Sequence, residues 1–488
     1  MNDTHTKSNP ENLLNTLKEM IKTIDHHVQE KTAAHQVEQQ IFKGILGLGY
    51  HLLNHYFQQF GHYNQGKVVN LKEGQKVTRF PQLRQKKYHS IFGEIILKRW
   101  VYGSRVGQKI TYIPLDACLQ LPQKKPSYLL QQWQQRLAGQ MTYEQTQKTL
   151  NMILGQTPST HTLQRETKTL GLSLAAYQEK KPLSSPASAT EIVVSTIDGK
   201  GVPIRKGDKK MALVSCSYTI ASHLRRPEEV LNALFSQDER PHNQGSRKRP
   251  KPQEKQVYTS LLRDKNESMK PSMKASYDWL EQEYQQRNPH HQHPHIALID
   301  GQVSLAHEMQ KRFESHGNYV EILDILHVAG YAWDAAKTFY TEEKLQRFYA
   351  HYCIKNILQG KVDQVITSLK LLKEKQGLKG KKVKKIHTVE VYFSNNRYRM
   401  KYNEYLSKGY PIASGVIEGA CRSVVKDRME RSGMRWSIEG AESLLKLRCI
   451  DINGEWQTYM NFHIQQENQR LYPKAANDEK IQSLLLIA

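Results

Sequence analysis

Paired cysteines, long apolar runs and acidic residues are all scarce in this chain, and each shortage excludes something. The five cysteines, Cys118, Cys216, Cys353, Cys421 and Cys449, stand apart with no paired spacing. That pattern fits a reducing compartment and argues against both a disulfide frame and a cysteine zinc site. No apolar run approaches the ~20 residues needed to span a bilayer. The opening MNDTHTKSNPENLL lacks a basic start followed by an apolar core, so no secretory signal is expected. Asp and Glu number 47 against 71 Lys and Arg, a formal net charge of +24 over 488 residues. Such an excess makes a polyanion the expected partner, and nucleic acid the first candidate. The length leaves room for several domains, with at least one sizeable core.

Residues 11–62 carry helical periodicity (Leu13, Leu14, Leu17, Met20, Ile21, Ile24, then Ile41, Ile45, Leu52, Leu53, Tyr56, Phe57) and read as two helices, structural or dimer-forming, within an N-terminal region 1–87. From Tyr88 to Leu115 the pattern alternates, predicting a β-hairpin turned around Ser104–Gly107 within an element 88–125. In 126–180, Thr142–Ile153 reads as one helix, Leu154–Pro158 breaks it, and Ser159 or Thr160 caps a second helix running to Gly171. This is the outline of a helix-turn-helix, in which Thr162, Gln164, Arg165 and Lys168 would face DNA; an ordinary helical hairpin is the alternative. KPLSSPASAT (181–190) reads as a linker, and Arg240–Gln256 as a basic, proline-rich loop. Strands are expected at 191–197, 211–220, 295–299 and 320–324. NPHHQHPH (288–295) reads as a loop rather than a metal site, and Lys379–His387 as a solvated basic loop or a phosphate contact.

The stretch GYPIASGVIEGACRSVVKDRMERSGMRWS (409–437) sets Glu418 at the head of a basic helix, with Ser414 and Gly415 as its start. Arg422 and Lys426 follow at one-turn steps, so carboxylate and cations would share a face. Either this is an exposed ion pair, or Glu418 joins two other acids, Asp198 and Asp300, each ending a hydrophobic strand and followed by Gly. An isolated Asp-Gly is usually a turn. Two of them, with helical segments between, fit an α/β sheet whose strand ends open on a cleft. Converging carboxylates need a cation, and Mg2+ suits hard oxygen donors. The net charge and the kind and placement of these acids thus point to metal-dependent phosphodiester chemistry on nucleic acid, although no fixed spacing links carboxylates this far apart in the chain.

The phrases IDGKGVPIRK, ALIDGQ, ILDILHV, GVIEGACRSVVKDRMERSGMRWS and GAESLLKLR resemble the ISKra-type insertion-sequence transposases, DDE enzymes with an RNase H-like fold related to the Mutator-like group; the match runs from about Phe92 to Trp456. The resemblance implies that Asp198, Asp300 and Glu418 are catalytic and hold two Mg2+ or Mn2+ ions, with Asp324 and His327 assisting beside them. It implies an RNase H-like catalytic domain in two parts, 191–330 and 409–470, interrupted by an all-helical insertion, 331–408, and followed by a tail, 471–488. Arg422, Lys426, Arg428 and Arg431 would contact phosphates, while 142–171 helps recognise the element's terminal inverted repeats. The implied partners are those repeats and target DNA, with no membrane, in a homodimer or higher oligomer at the nucleoid of a prokaryotic cytoplasm. Similar proteins often carry a cysteine-pair zinc element before a PLD motif, whereas VYGSRVGQKITYIPLD has no cysteine, so the hairpin is expected to fold by packing alone. A stand-alone RNase H-like nuclease, a non-catalytic helix-turn-helix regulator and an RNA-binding assembly protein are the alternatives.

Overall fold

The structure is a computed structural model that describes residues 10–71, 75–104, 109–156, 158–182, 184–236, 249–262 and 271–472. The expected turn beyond Ser104, the basic stretch 240–248 and the tail beyond 472 lie outside the described residues. The protein is mixed α/β and 57% helical, with several sheets. None of its described helices is long and apolar enough to cross a membrane. The chain divides into two compact units, 1–177 with 456–488, and 178–455.

The first unit begins with two helices, α1 (Pro10–Gln29) and α2 (Ala34–Gln59). Only the end of α2 reaches a core, where Phe57 packs with Ile95, Leu97 and Leu121. Leu14, Leu17, Ile21, Ile45 and Leu52 remain exposed. A four-stranded sheet runs β1 (Val68–Asn70), β2 (Lys76–Arg79), β5 (Tyr102–Gly103), β6 (Ile110–Tyr112), while β3 (Arg84–Ser90) and β4 (Gly93–Arg99) form a separate antiparallel pair. The expected hairpin is therefore split: β4 takes β3 as its partner, and only the short β5 meets β6. Val77 and Tyr102 close its small core, and the Asp116 of PLD, in α3 (Pro114–Cys118), accepts a 2.6 Å bond from buried Arg99.

Three helices follow: α4 (Tyr128–Gln140), α5 (Tyr143–Leu154) and α6 (Thr160–Gly171), with α7 (Leu174–Lys180) at the unit boundary. Their ends are where the caps require them. Thr142 and Gln145 form a reciprocal capping box, Gly155 ends α5 at φ 65°, and the Ser159 hydroxyl accepts from Thr162 N. Leu150, Leu163 and Leu170 are buried between them. Glu166 is buried too, at 1% exposure on α6, with no hydrogen-bond partner for either oxygen among the described residues. The neighbouring Gln135 donates one amide hydrogen to the Leu163 carbonyl and accepts from the Thr167 hydroxyl, leaving its second amide hydrogen to lean on the carboxylate without a bond of good geometry. Burial pushes the Glu166 carboxyl up to about 7, against the pull of Lys124, Gln135 and Arg165.

The second unit is built on one five-stranded sheet of order β11, β10, β7, β8, β9. β7 (Glu191–Val202), β8 (Lys210–Ala221) and β9 (Gln253–Leu261) are antiparallel neighbours, while β10 (His295–Ile299) and β11 (Tyr319–Leu323) lie parallel to β7. β9 corrects the loop reading at Gln253–Gln256. Its first half is exposed on the sheet edge, so no alternating apolar signal marks it. Odd-numbered Val193, Ile197, Leu213 and Ala297 face a core with Tyr277, Leu280 and Tyr284 of α9 (Pro271–Arg287) and Met309 and Phe313 of α10 (Val303–Phe313). α8 (Pro227–Phe235) lies between β8 and β9 in sequence.

After β11 the chain enters five helices, α11 (Ile325–Phe339), α12 (Glu343–Leu358), α13 (Val362–Lys375), α14 (Lys381–Asn396) and α15 (Tyr402–Ser407). Most of Lys379–His387 is thus the first turns of α14 and not a loop. Its lysines are good helix formers, and Ile386, Val389 and Phe393 supply the buried stripe. The chain then returns through α16 (Gly415–Cys421), a π-helical turn (Arg422–Lys426) and α17 (Asp427–Met429), and ends the unit with α18 (Ile438–Ile452). α19 (Trp456–Leu471) belongs to the first unit, where Tyr459 bonds the Leu170 carbonyl and His463 meets the Ser173 hydroxyl at 2.9 Å. The expected segment 409–470 is therefore divided at Glu455.

Candidate active site at the ends of three parallel strands

β7, β10 and β11 run in register through Thr196, Leu298 and Ile322. Two residues further on in each stands an aspartate, Asp198 within β7 and Asp300 and Asp324 one residue past the ends of β10 and β11, with Asp324 N still bonded to the Ile299 carbonyl. Adjacent strands lie about 4.8 Å apart, so the three acids occupy one level of the sheet. Being even-numbered, Asp198 faces away from the α9 and α10 core, toward the side where α16 packs on β7 and β8.

Asp198-Gly199 is not a turn. β7 continues to Val202, with Gly199 opposite Leu213, and a Cβ on Gly199 would sit 2.6 Å from the Met211 sulfur. Asp300-Gly301 is a turn as well as a strand end: Gly301 has φ +89°, and Asp300 Oδ1 accepts from Gln302 N at 2.9 Å. Tyr392 of α14 closes over it, its hydroxyl donating to the Asp300 carbonyl at 2.9 Å while its ring stacks on Tyr331 at 3.8 Å.

Asp198 Oδ1 accepts from Gly199 N at 2.6 Å, and its Oδ2 takes the Lys200 ammonium at 2.8 Å and the Cys421 thiol at 3.5 Å. Partial burial works against the ammonium, yet the hydrogen bond and charge of Asp198, with the charge of Asp300 behind it, hold Lys200 above the ordinary lysine value. Burial, helped by Asp198, pushes the Cys421 thiol far up, so it stays protonated and donates.

Asp324 is fully buried and saturated. Oδ1 accepts from Leu326 N and Ser414 N, and Oδ2 from the Ser414 hydroxyl at 2.6 Å and His327 Nδ1 at 2.8 Å. Burial alone would raise its carboxyl, but the bonds from His327, Ser414 and Leu326 hold it below the usual range. The hydrogen bond to Asp324 raises His327 against its own burial, and the charges of Asp324, Asp300 and Asp198 add to that. Ser414 was expected to start α16, but its side chain makes no cap and goes to Asp324 instead.

Glu418 is exposed and lines a cavity of about 910 Å³ with His327, Tyr331, Trp333, Lys337 and Arg347. One turn further along α16, Cys421 touches Asp198, so the three sequence-derived acids and the Asp324–His327 pair share one neighbourhood. They do not converge tightly. No three His, Cys, Asp or Glu side chains among the described residues stand close enough to hold a metal ion. Lys200 and Cys421 take Asp198 Oδ2, and Glu418 stays exposed on the cavity wall.

The expected cation face of Glu418 is rearranged by the π-helical turn. Arg422 pairs with Asp427, five residues on, at 3.5 Å, the spacing that a π turn brings to one side. Buried Arg448 of α18 bonds the carbonyls of Ser423 and Val424 within that turn. Arg422, Lys426 and Arg431 are exposed. Arg428, expected to contact DNA, is fully buried, its guanidinium 4.8 Å from the Trp436 ring centroid and 3.2 Å from the Met434 sulfur. A charged residue on an otherwise basic helix reads as solvated, whereas here the planar cation fills an aromatic slot. In the first unit, Arg165 and Lys168 are exposed on α6.

No protein-family model and no curated protein matches the chain. The site contacts missed from sequence are those of Lys200, Cys421, Tyr392 and Arg448, and the bond to Asp324 from Ser414, which reads only as a helix start. Lys200 alone carried a signal, since two residues along a strand returns to the same face as Asp198.

Proposed function

We propose that this chain is a DNA transposase of the ISKra type, in which Asp198, Asp300 and Glu418 carry out metal-dependent DNA cleavage and strand transfer. The observation that carries the reading is the row of aspartates at one level of three parallel strands, with the Glu418 helix bonded to it through Cys421. The sheet, three antiparallel strands followed by two parallel ones with a helical excursion after the last, supports an RNase H-like catalytic domain.

The donors suit a divalent ion in kind, though not in their spacing here. Asp198, Asp300 and Glu418 offer only hard oxygens, and a cation, Lys200, already sits on Asp198. Those three residues would hold Mg2+ or Mn2+. When bound, two such ions activate an attacking hydroxyl and stabilise the leaving oxygen of a phosphodiester. The chain's own side chains do the remaining work. Asp324 fixes His327 through Nδ1, so the other ring nitrogen is the one offered to substrate. Tyr392 and Ser414 hold the Asp300 turn and the approach to α16. Exposed Arg422, Lys426 and Arg431, with Arg165 and Lys168 on the helix-turn-helix, would grip phosphates, as the net charge of +24 favours.

The test incubates the full chain with Mg2+ and DNA carrying the element's flanking repeats, resolving cut and joined products on one gel. Asp198→Asn, Asp300→Asn and Glu418→Gln should each lose cleavage and joining while binding DNA normally. Cleavage at the natural level in any of the three removes that residue from the site. Cutting without joined product from pre-cleaved ends would make the chain a nuclease instead.

A further inference from the structure

α1 and α2 form an antiparallel hairpin, with Met20 over Gly44 and the His27 ring 2.6 Å from Gln40. The sides they turn to each other carry Met20, Ile24, Val37 and Ile41. That contact does not use up their apolar residues. On α1, Leu14, Leu17, Ile21 and Val28 stay 43% to 72% exposed, and on α2, Phe42, Ile45, Leu52 and Tyr56 stay 45% to 52% exposed. Both sets keep the three-and-four spacing of a heptad seam. At the one place skipped in each, Ile24 turns to α2 and Gly49 backs onto Phe92. At about 100° per residue, each seam lies roughly a quarter turn round from the contact between the helices. In an antiparallel pair the same rotation brings both seams to one side. The hairpin thus has a second apolar face, roughly 30 Å long and two helices, about 20 Å, wide.

We propose that a second copy of the chain docks on this face, the two hairpins closing into a four-helix bundle about a two-fold axis. Knobs-into-holes packing calls for a partner of the same seam spacing and the same length, and a second hairpin supplies both. Charge points the same way. Residues 10–59 hold five acids against four lysines, a net charge of −1 in a chain of +24. A face so near neutral neither attracts a polyanion or an anionic lipid surface nor repels its own copy. On the order of 600 Å² would be covered on each copy, near the roughly 800 Å² a side of a standard stable interface. Phe57 ties α2 to Ile95 and Leu97 of β4, so the bundle joins whole first units and not loose helices. Pairing through this face requires nothing of the aspartate row.

The experiment is sedimentation equilibrium of the full chain at micromolar concentration, with helix content followed by circular dichroism. The natural chain should be a dimer. Leu17→Lys and Ile45→Lys together should weaken pairing by about 100-fold or more, because lysines from both copies then enter one apolar seam. Helix content should hold, since both positions are exposed in the single copy. Asn15→Lys, at an exposed position of α1 away from the seam, should pair like the natural chain. Leu17→Glu with Ile45→Glu should also be monomeric alone, yet pair with the double-lysine variant when the two are mixed. A natural chain that stays monomeric overturns the proposal, and one that is monomeric but sediments with phosphatidylserine vesicles makes the face a membrane contact instead. A double-lysine variant that dimerises with natural affinity overturns it too, as does a mixture of the two variants that does not pair.

Discussion

Replacing Glu166 by Gln should stabilise the α4–α6 helices at pH 8 and change them much less at pH 5. The carboxyl is buried at 1% exposure without a hydrogen-bond partner, and its pKa rises to about 7 from 4.5. A folded-state pKa above the unfolded one means the folded form prefers the proton. Stability from this group is full below pH 4.5 and is lost as the pH climbs through about 7. The difference corresponds to roughly 3 kcal/mol by pH 8, an upper figure because local breathing admits water. Gln removes the charge at nearly constant shape, so opening of residues 128–171 should slow by up to about 100-fold at pH 8. Hydrogen exchange with mass spectrometry of the full chain, corrected for intrinsic rates, reads this directly. A variant with equal protection at both pH values, or with less at pH 8, would refute the account of Glu166 as a buried, unpaired carboxyl.

Three further outcomes follow from the site. Arg428→Ala should destabilise the second unit by about 3 kcal/mol in denaturant unfolding, because a buried cation and its aromatic partner are both disturbed, yet leave the salt dependence of DNA binding unchanged. Arg431→Ala should do the reverse, lowering the slope of log affinity against log salt by about 1; a slope change in Arg428→Ala and none in Arg431→Ala would invert the assignment. Asp324→Asn should return the His327 pKa toward its ordinary value, read from its ring proton shifts. The Asp324 carboxylate is stabilising above its unfolded pKa and that contribution fades as pH falls through its depressed folded value, while the contribution of charged His327 is present at low pH and fades as pH rises through its raised value. An unchanged His327 titration in Asp324→Asn would show that the pair does not set the ring's charge.

Local signals made much of this fold legible. Thr142, Gly155 and Ser159 bound α5 and α6 because capping is chemistry within a few residues. Hydrophobic runs marked β7, β8, β10 and β11, and the acid within one of them, Asp198, and just past another, Asp300, stood out as candidates. What failed depended on tertiary context. β9 begins in a polar stretch that becomes strand through its pairing with β8, and the lysine-rich start of α14 is ordered by Ile386 and Phe393 further on. Arg428 is buried only because Trp436, eight residues away, folds over it. The π turn has no sequence mark either, since the arginine that satisfies its carbonyls lies on another helix.

The bonds around Asp324 also bear on how this molecule can change over evolution. The helical excursion leaves the sheet at Asp324 and comes back to the same carboxylate at Ser414, with Ile325 N bonded to the Ile412 carbonyl alongside. Departure and return are clasped together, so α13 could lengthen, shrink or diverge without altering where the chain resumes on its way to Glu418, whereas α12 carries Arg347 into the cavity beside Glu418. α11, through His327, and α14, through Tyr392, reach back to the aspartates and would have to keep their seats.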